Sequence, residues 1–202
     1  MVLIGVTGGI GAGKSEVLRD LKDRWQAEVL EMDTMAKELM QKGGRTYPLY
    51  LDLLGPGILD EDGEIDRAKT AHLLFGNPEL LAKINETIRP VIKEELFLRV
   101  AALKEKGTRL AVIEAALLIE EHYNEICDEL WYIYADKTTR CCRLKTSRGY
   151  DDKRIEETMK RQLTDQTFRK YADLVIDNSG EFSHTQSQID DRLKSLFSKG
   201  KP

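Results

Sequence analysis

The chain has 202 residues, 41% hydrophobic and 33% charged, with a formal net charge of -4. That length suits one domain with a sizeable insertion, and the composition is ordinary for a globular protein. The acidic balance argues against a general nucleic-acid binder, and the longest apolar runs are too short for a membrane-spanning helix.

The first residues, MVLIGVTGG, carry no basic region and no cleavage site, so no secretory signal is expected. The cysteines are Cys127, Cys141 and Cys142, an odd count with two adjacent. No disulfide framework and no zinc-ligand spacing follow from them; free thiols in a reducing cytoplasm are the expectation.

Val2–Val6 reads as a buried strand ending in glycines. Residues 15–25 read as a helix with Val17, Leu18, Leu21 and Trp25 on one face. Glu28–Met32 reads as a second strand. Helical patterns then run from about residue 34 to residue 106, broken near Gly43–Gly44, Gly55–Gly57 and Gly63. Arg109–Glu114 and Leu130–Ala135 read as the third and fourth strands. Helices are expected over Asp136–Ser147 and Asp152–Thr164, a short fifth strand over Leu174–Asp177, and a last helix around Phe182–Phe197. Strands alternating with helices predict an α/β fold on a parallel sheet. The helical block at 34–107 interrupts that alternation and reads as an insertion.

Gly8-Gly9-Ile10-Gly11-Ala12-Gly13-Lys14-Ser15 fits G-x-x-x-x-G-K-[ST], the phosphate-binding P-loop, between a predicted strand and a predicted helix. Glycines let successive N–H groups turn toward phosphate oxygens, and the helix that follows points its positive end at the same anion. Lys14 adds a point charge for the β- and γ-phosphates, and the Ser15 hydroxyl suits Mg²⁺. The dinucleotide pattern G-x-G-x-x-G/A fails, because its sixth position counted from Gly9 is Lys14. The loop therefore predicts a nucleoside triphosphate with Mg²⁺.

A GTPase would add D-x-x-G and N-K-x-D, and neither is present. A small-molecule kinase fits better and needs an acceptor-side carboxylate and cations over the transferred phosphoryl group. Asp33 follows the second strand, where it can take a hydroxyl proton or merely cap the helix beginning at Thr34. Arg140, Arg143 and Arg148 lie in the densest basic stretch, with Lys137 and Lys145, and read either as arginines closing over phosphates or as a solvated helix face. Glu114 ends the third strand, where a carboxylate can hold a magnesium-bound water or simply face solvent.

These residues resemble the dephospho-CoA kinase family, from about residue 2 to about residue 195. The resemblance rests on VTGGIGAGKS at 6–15, the strand-end Asp33, DGEIDR at 62–67, LLF at 73–75 and RPVI at 89–92. It continues with EAALLIEE at 114–121, the arginine-rich stretch at 140–149, RQ at 161–162 and ADLVIDNSG at 172–180. It departs at Glu31, Glu16, Arg89 and Ala116, where the family often has Asp, Thr, His and Pro. The Arg143–Arg148 interval is also one residue longer than usual.

The resemblance implies a three-layer P-loop fold with a five-stranded parallel sheet, a helical CoA-binding insertion and a helical lid. The implied divisions are a core of 1–33, 108–136 and 166–202, the insertion 34–107 and the lid 137–165. It implies Asp33 as catalytic base, with Lys14 and Arg143 acting on the transferred group. Gly9, Gly11, Ala12, Gly13, Lys14, Ser15, Glu16, Arg140, Arg148 and Asn178 would hold ATP. Asp33, Arg67 and Arg89 would meet the acceptor, and Ser15 and Glu114 the metal. Which of Arg140, Arg143 and Arg148 is the lid arginine stays open, and Asn178 would lie near adenine or form an Asx turn. The implied activity is ATP-dependent phosphorylation of the ribose 3′-hydroxyl of dephospho-CoA in the cytoplasm. A monomer would suffice, and neither nucleic acid nor membrane would take part. The rivals are another small-molecule P-loop kinase and a nucleotide switch that does not turn over.

Overall fold

Val2–Thr7 (β1) carries no charged side chain, and all but its first residue are buried. It can be so because strands pair with it on both sides: Leu110–Glu114 (β3) and Glu129–Tyr134 (β4) both run parallel to it. In a computed structural model of the chain, which describes residues 1–199, the sheet order is β2-β3-β1-β4-β5. Here β2 is Glu28–Glu31 and β5 is Leu174–Asp177, the latter parallel to β4. The architecture is an α/β fold with a five-stranded parallel sheet flanked by helices.

The chain forms two compact units, one of Met1–Val29 with Thr108–Pro202 and one of Leu30–Gly107. In the first unit, Lys14–Trp25 (α1) packs Val17, Leu18 and Leu21 against the sheet core of Ile4, Val6, Val112, Trp131, Ile133 and Ile176. Burying one such side chain contributes about 1.5–3 kcal/mol. Phe182–Lys199 (α9) closes the same core with Ile189 and Leu193. It is fastened to α1 by polar bonds: Asp190 accepts from Arg24 and from the Trp25 indole, and Gln186 donates to Asp20 at 2.6 Å.

In the second unit, Met32–Met40 (α2), Tyr47–Leu54 (α3) and Arg67–Leu74 (α4) gather with the long helix Pro78–Glu105 (α5). A buried set of Met35, Leu39, Ile58, Ile84, Ile88, Leu96 and Val100 forms its interior. Arg45 pairs with Glu94 and Glu95, and Arg99 with Glu38 and Glu95, which ties α2 and the following loop to α5. No helix among the described residues is long and apolar enough to cross a membrane.

Several element ends shift by a residue from the sequence expectation, and two differences have a clear physical reason. The second strand stops at Glu31, and Met32, expected to end it, is already the first residue of α2. Met32 is buried, and the helical turn is what carries it inward while Asp33 faces out. The helix expected over Asp152–Thr164 ends at Lys160 as α7, and a separate helix, Asp165–Tyr171 (α8), follows. Thr164 is the cause: its hydroxyl accepts from the Thr167 N–H at 3.1 Å and starts a new helix.

Candidate active site

The glycine loop stands between β1 and α1, and its four seats come from far along the chain. Lys137–Arg148 (α6), reached from β4, starts with Asp136 as N-cap, which accepts from the Thr139 N–H at 3.0 Å. Bonds from Thr139 and the loop after β5 hold the Asp136 carboxyl below the usual carboxylate range, the Thr139 hydroxyl contributing most. The cap sets the rotation of α6 so that Arg140 and Arg143, one turn apart, meet the loop on the same face. Arg140 Nε donates to the Ile10 carbonyl at 2.8 Å, and Arg143 donates to the Ala12 carbonyl at 3.3 Å. Arg148 lies eight residues beyond Arg140, about 12 Å further at 1.5 Å per residue, and is exposed.

Asn178 follows β5 and is fully buried. Its amide donates to the Ala12 carbonyl at 2.9 Å and accepts from the Thr185 hydroxyl at 2.8 Å. The side chain is therefore committed to the loop and to α9, and the backbone N–H is bonded to the Tyr134 carbonyl at 2.7 Å. Gly13 has φ 90°, and a Cβ there would collide with the Asn178 amide. A Cβ at Gly9 would run into the Arg140 guanidinium. Gly13 is thus favoured both by its left-handed backbone and by the buried amide that seats the loop, and Gly9 leaves room for the guanidinium.

Lys14 opens α1 and donates to the Gly8 carbonyl at 2.9 Å, with the Glu114 carboxylate 3.9 Å from its ammonium. Glu114 ends β3 opposite Val6, which places a carboxylate beside the loop. Ser15 is exposed in the first turn of α1, the end of a helix that suits an anion, and Glu16 follows it half-buried. Among the described residues no cluster of three or more His, Cys, Asp or Glu could hold a metal unaided. One hydroxyl and one carboxylate fit Mg²⁺, which keeps several waters and takes phosphate oxygens as ligands.

In the other unit, Asp33 lies in the first turn of α2 and is exposed. The N-cap is Glu31, and it makes no side-chain cap bond. The capping alternative for Asp33 is therefore excluded, since the helix starts before it. Arg67 begins α4, whose N-cap Asp66 accepts from the Ala68 and Lys69 N–H groups. It lines a cleft with Lys37, Met40, Gln41, Glu64 and Ile65. Arg89 is exposed on α5, just before Pro90.

Sequence reasoning assigned no role to Gln162 or Thr185. Gln162 lies in the break between α7 and α8, where its carbonyl accepts from the Ile10 N–H at 2.9 Å and from Arg140 at 3.2 Å. A glutamine at a helix break carries no local signal of a partner 152 residues away.

Residues 2–184 match the family model described as dephospho-CoA kinase. A dephospho-CoA kinase of Streptococcus mutans is 34% identical over 194 residues, covering 96% of this chain and 97% of that protein. A solved structure from Thermus thermophilus superposes with a TM-score of 0.78 at 24% identity, covering 100% of this chain and 98% of that one. A dephospho-CoA kinase from Campylobacter jejuni superposes with a TM-score of 0.74 at 16% identity, covering 98% of both chains. The two superpositions carry the fold, and the family model and the streptococcal relative carry the kinship.

Proposed function

The chain belongs to the dephospho-CoA kinase family, a phosphotransferase family that uses ATP, and we propose that the phosphoryl group goes to the ribose 3′-hydroxyl. The products are coenzyme A and ADP. The acceptor oxygen bonds to the γ-phosphorus as the bond to the β-γ bridging oxygen breaks. The hydroxyl proton goes to Asp33. The observation that carries this reading is the exposed Asp33 carboxylate, held in the first turn of α2 and not used as a cap.

Phosphoryl transfer asks mainly for positioning and charge stabilisation. The amides of Gly9, Gly11, Ala12, Gly13, Lys14, Ser15 and Glu16 and the Lys14 ammonium hold the ATP phosphates. Ser15, with Glu114 through water, holds Mg²⁺, which supplies charge neutralisation at the phosphate oxygens. Arg143 and Arg148 supply cations from α6 as transfer proceeds. Arg67 and Arg89 meet the anionic groups of the acceptor in the helical unit, where Lys37 joins Arg67 in the cleft. The working form is a cytoplasmic monomer acting on small molecules, without nucleic acid or membrane, and 137–165 serves as its lid.

The test is ADP release from MgATP with dephospho-CoA, adenosine, AMP, CMP or no acceptor, with the product identified by mass. Release with dephospho-CoA alone is expected, and a 3′-deoxyribose analogue should accept nothing. Asp33→Asn should lower kcat by about 10²–10⁴ while MgATP affinity holds. Turnover of the 3′-deoxy analogue would reject the 3′-hydroxyl, and near-normal turnover by Asp33→Asn would remove Asp33 as base.

A further inference from the structure

The helical segment after β4 leaves and returns at one residue of the glycine loop. Arg140, in the first turn of α6, bonds the Ile10 carbonyl, and Gln162, just past α7, bonds the Ile10 N–H. The same Gln162 oxygen accepts from Arg140 at 3.2 Å, which closes a three-membered ring of contacts. Between these two ends, Lys145 pairs with Asp152 at 2.7 Å and Arg154 stacks on Tyr150, so α6 and α7 hold to each other as a hairpin.

We propose that Arg140 and Gln162 are positioning residues that clasp Ile10 and hold the loop amides in their phosphate-facing orientation. Arg140 thereby acts on the loop and not on the phosphates. Three features support this. The guanidinium occupies the space a Gly9 side chain would need, so its place is set by packing against the loop. Its Nε faces a carbonyl, and one of its outer nitrogens faces the Gln162 carbonyl. The Gln162 acceptor is matched to two donors at once, a constraint that a solvent-facing side chain does not meet. Ile10 then has both backbone groups bonded, so the loop crest cannot turn without breaking the clasp. The proposal rests on the loop being the ATP site.

The test is MgATP titration, without acceptor, of the wild-type protein and of Arg140→Met, Arg140→Lys, Gln162→Leu and the Arg140→Met/Gln162→Leu pair. Each single change should weaken MgATP binding about tenfold, the scale of a charge-assisted bond that positions a site. The pair should be no weaker than the worse single change within about threefold, because both act on Ile10. Arg140→Lys should lose as much as Arg140→Met, since one ammonium cannot reproduce the forked contact. KM for dephospho-CoA should stay constant. Full binding by Arg140→Lys would make Arg140 a phosphate-facing charge and overturn the proposal. Losses that multiply in the pair, or a lower melting temperature with unchanged MgATP affinity, would overturn it too. If Arg140→Met does not fold, the Arg140→Lys and Gln162→Leu variants and their pair carry the same comparison. Wild-type transfer to dephospho-CoA, measured alongside, separates failure of this clasp from failure of the proposed reaction.

Discussion

Asn178 joins the Ala12 carbonyl of the loop, at 2.9 Å, to the Thr185 hydroxyl of α9, at 2.8 Å, with both ends of its amide inside the protein. Asn178→Ala should leave part of that bonding unmade in a buried place, costing about 1–3 kcal/mol of stability. For a chain of this size the melting temperature should fall by about 2–4 °C per kcal/mol. Thermal melting without nucleotide checks this. A normal melting temperature with lost ATP affinity would mean that the side chain reads the base instead.

Glu129 is the buried carboxylate of the sheet, at 7% exposure. Arg192 of α9 pairs with it, and the Trp131 indole donates to it at 2.8 Å. Removing the cation strands the charge, so Arg192→Ala should cost about 3–5 kcal/mol. Arg192→Ala/Glu129→Gln should recover part of the loss. Urea unfolding of the two variants measures the difference.

Cys127 donates to the Tyr123 carbonyl, and a Cβ at Gly5 would stand 3.1 Å from its sulfur. Burial, with the negative charge of Asp128 adding to it, pushes its thiol up to about 12. A raised thiol binds its proton more tightly folded than unfolded. Its contribution is therefore complete below the unfolded value of about 8.5 and declines as pH rises toward about 12. Cys127→Ala should flatten the loss of stability across that alkaline window. In the wild type at pH 8, iodoacetamide should label exposed Cys142 well before Cys127.

Lys14 sits 2.9 Å from the Gly8 carbonyl and 3.9 Å from Glu114. Lys14→Met should weaken MgATP binding and lower turnover by about 10²-fold or more, the scale expected when a fixed charge on a transferred phosphoryl group is lost. Titration and initial rates on one preparation test this together. Unchanged ATP binding would reject the loop as the triphosphate site.

The sheet was legible because β1, β3 and β4 are apolar runs bounded by turns, and the P-loop because its glycine spacing is set by backbone sterics. Asp33 does follow a strand as the sequence reads, although α2 starts two residues before the helix expected at Thr34. Burial of Met32 decides that start, and no cap residue marks it. The break after Lys160 was missed because residues 152–164 keep a helical pattern, while the Thr164 cap that divides them is one hydroxyl. Near a P-loop, a basic residue such as Arg140 reads as a phosphate-facing cation. Its contact with a carbonyl 130 residues earlier depends on the folded sheet. Gln162 and Thr185 stayed silent for the same reason.

The loop's supports all come late in the chain. Ile10 waits for Arg140 and Gln162, and Ala12 for Asn178, which is 166 residues away. During synthesis the motif leaves the ribosome well before the residues that seat it. It has neither strand neighbour until residues 110–134 follow, and its buried amide bond needs the start of α9. Pairings this distant in sequence form slowly. A nascent chain arrested before about residue 178 would present the apolar β1 without a set loop, as a client for chaperones and proteases.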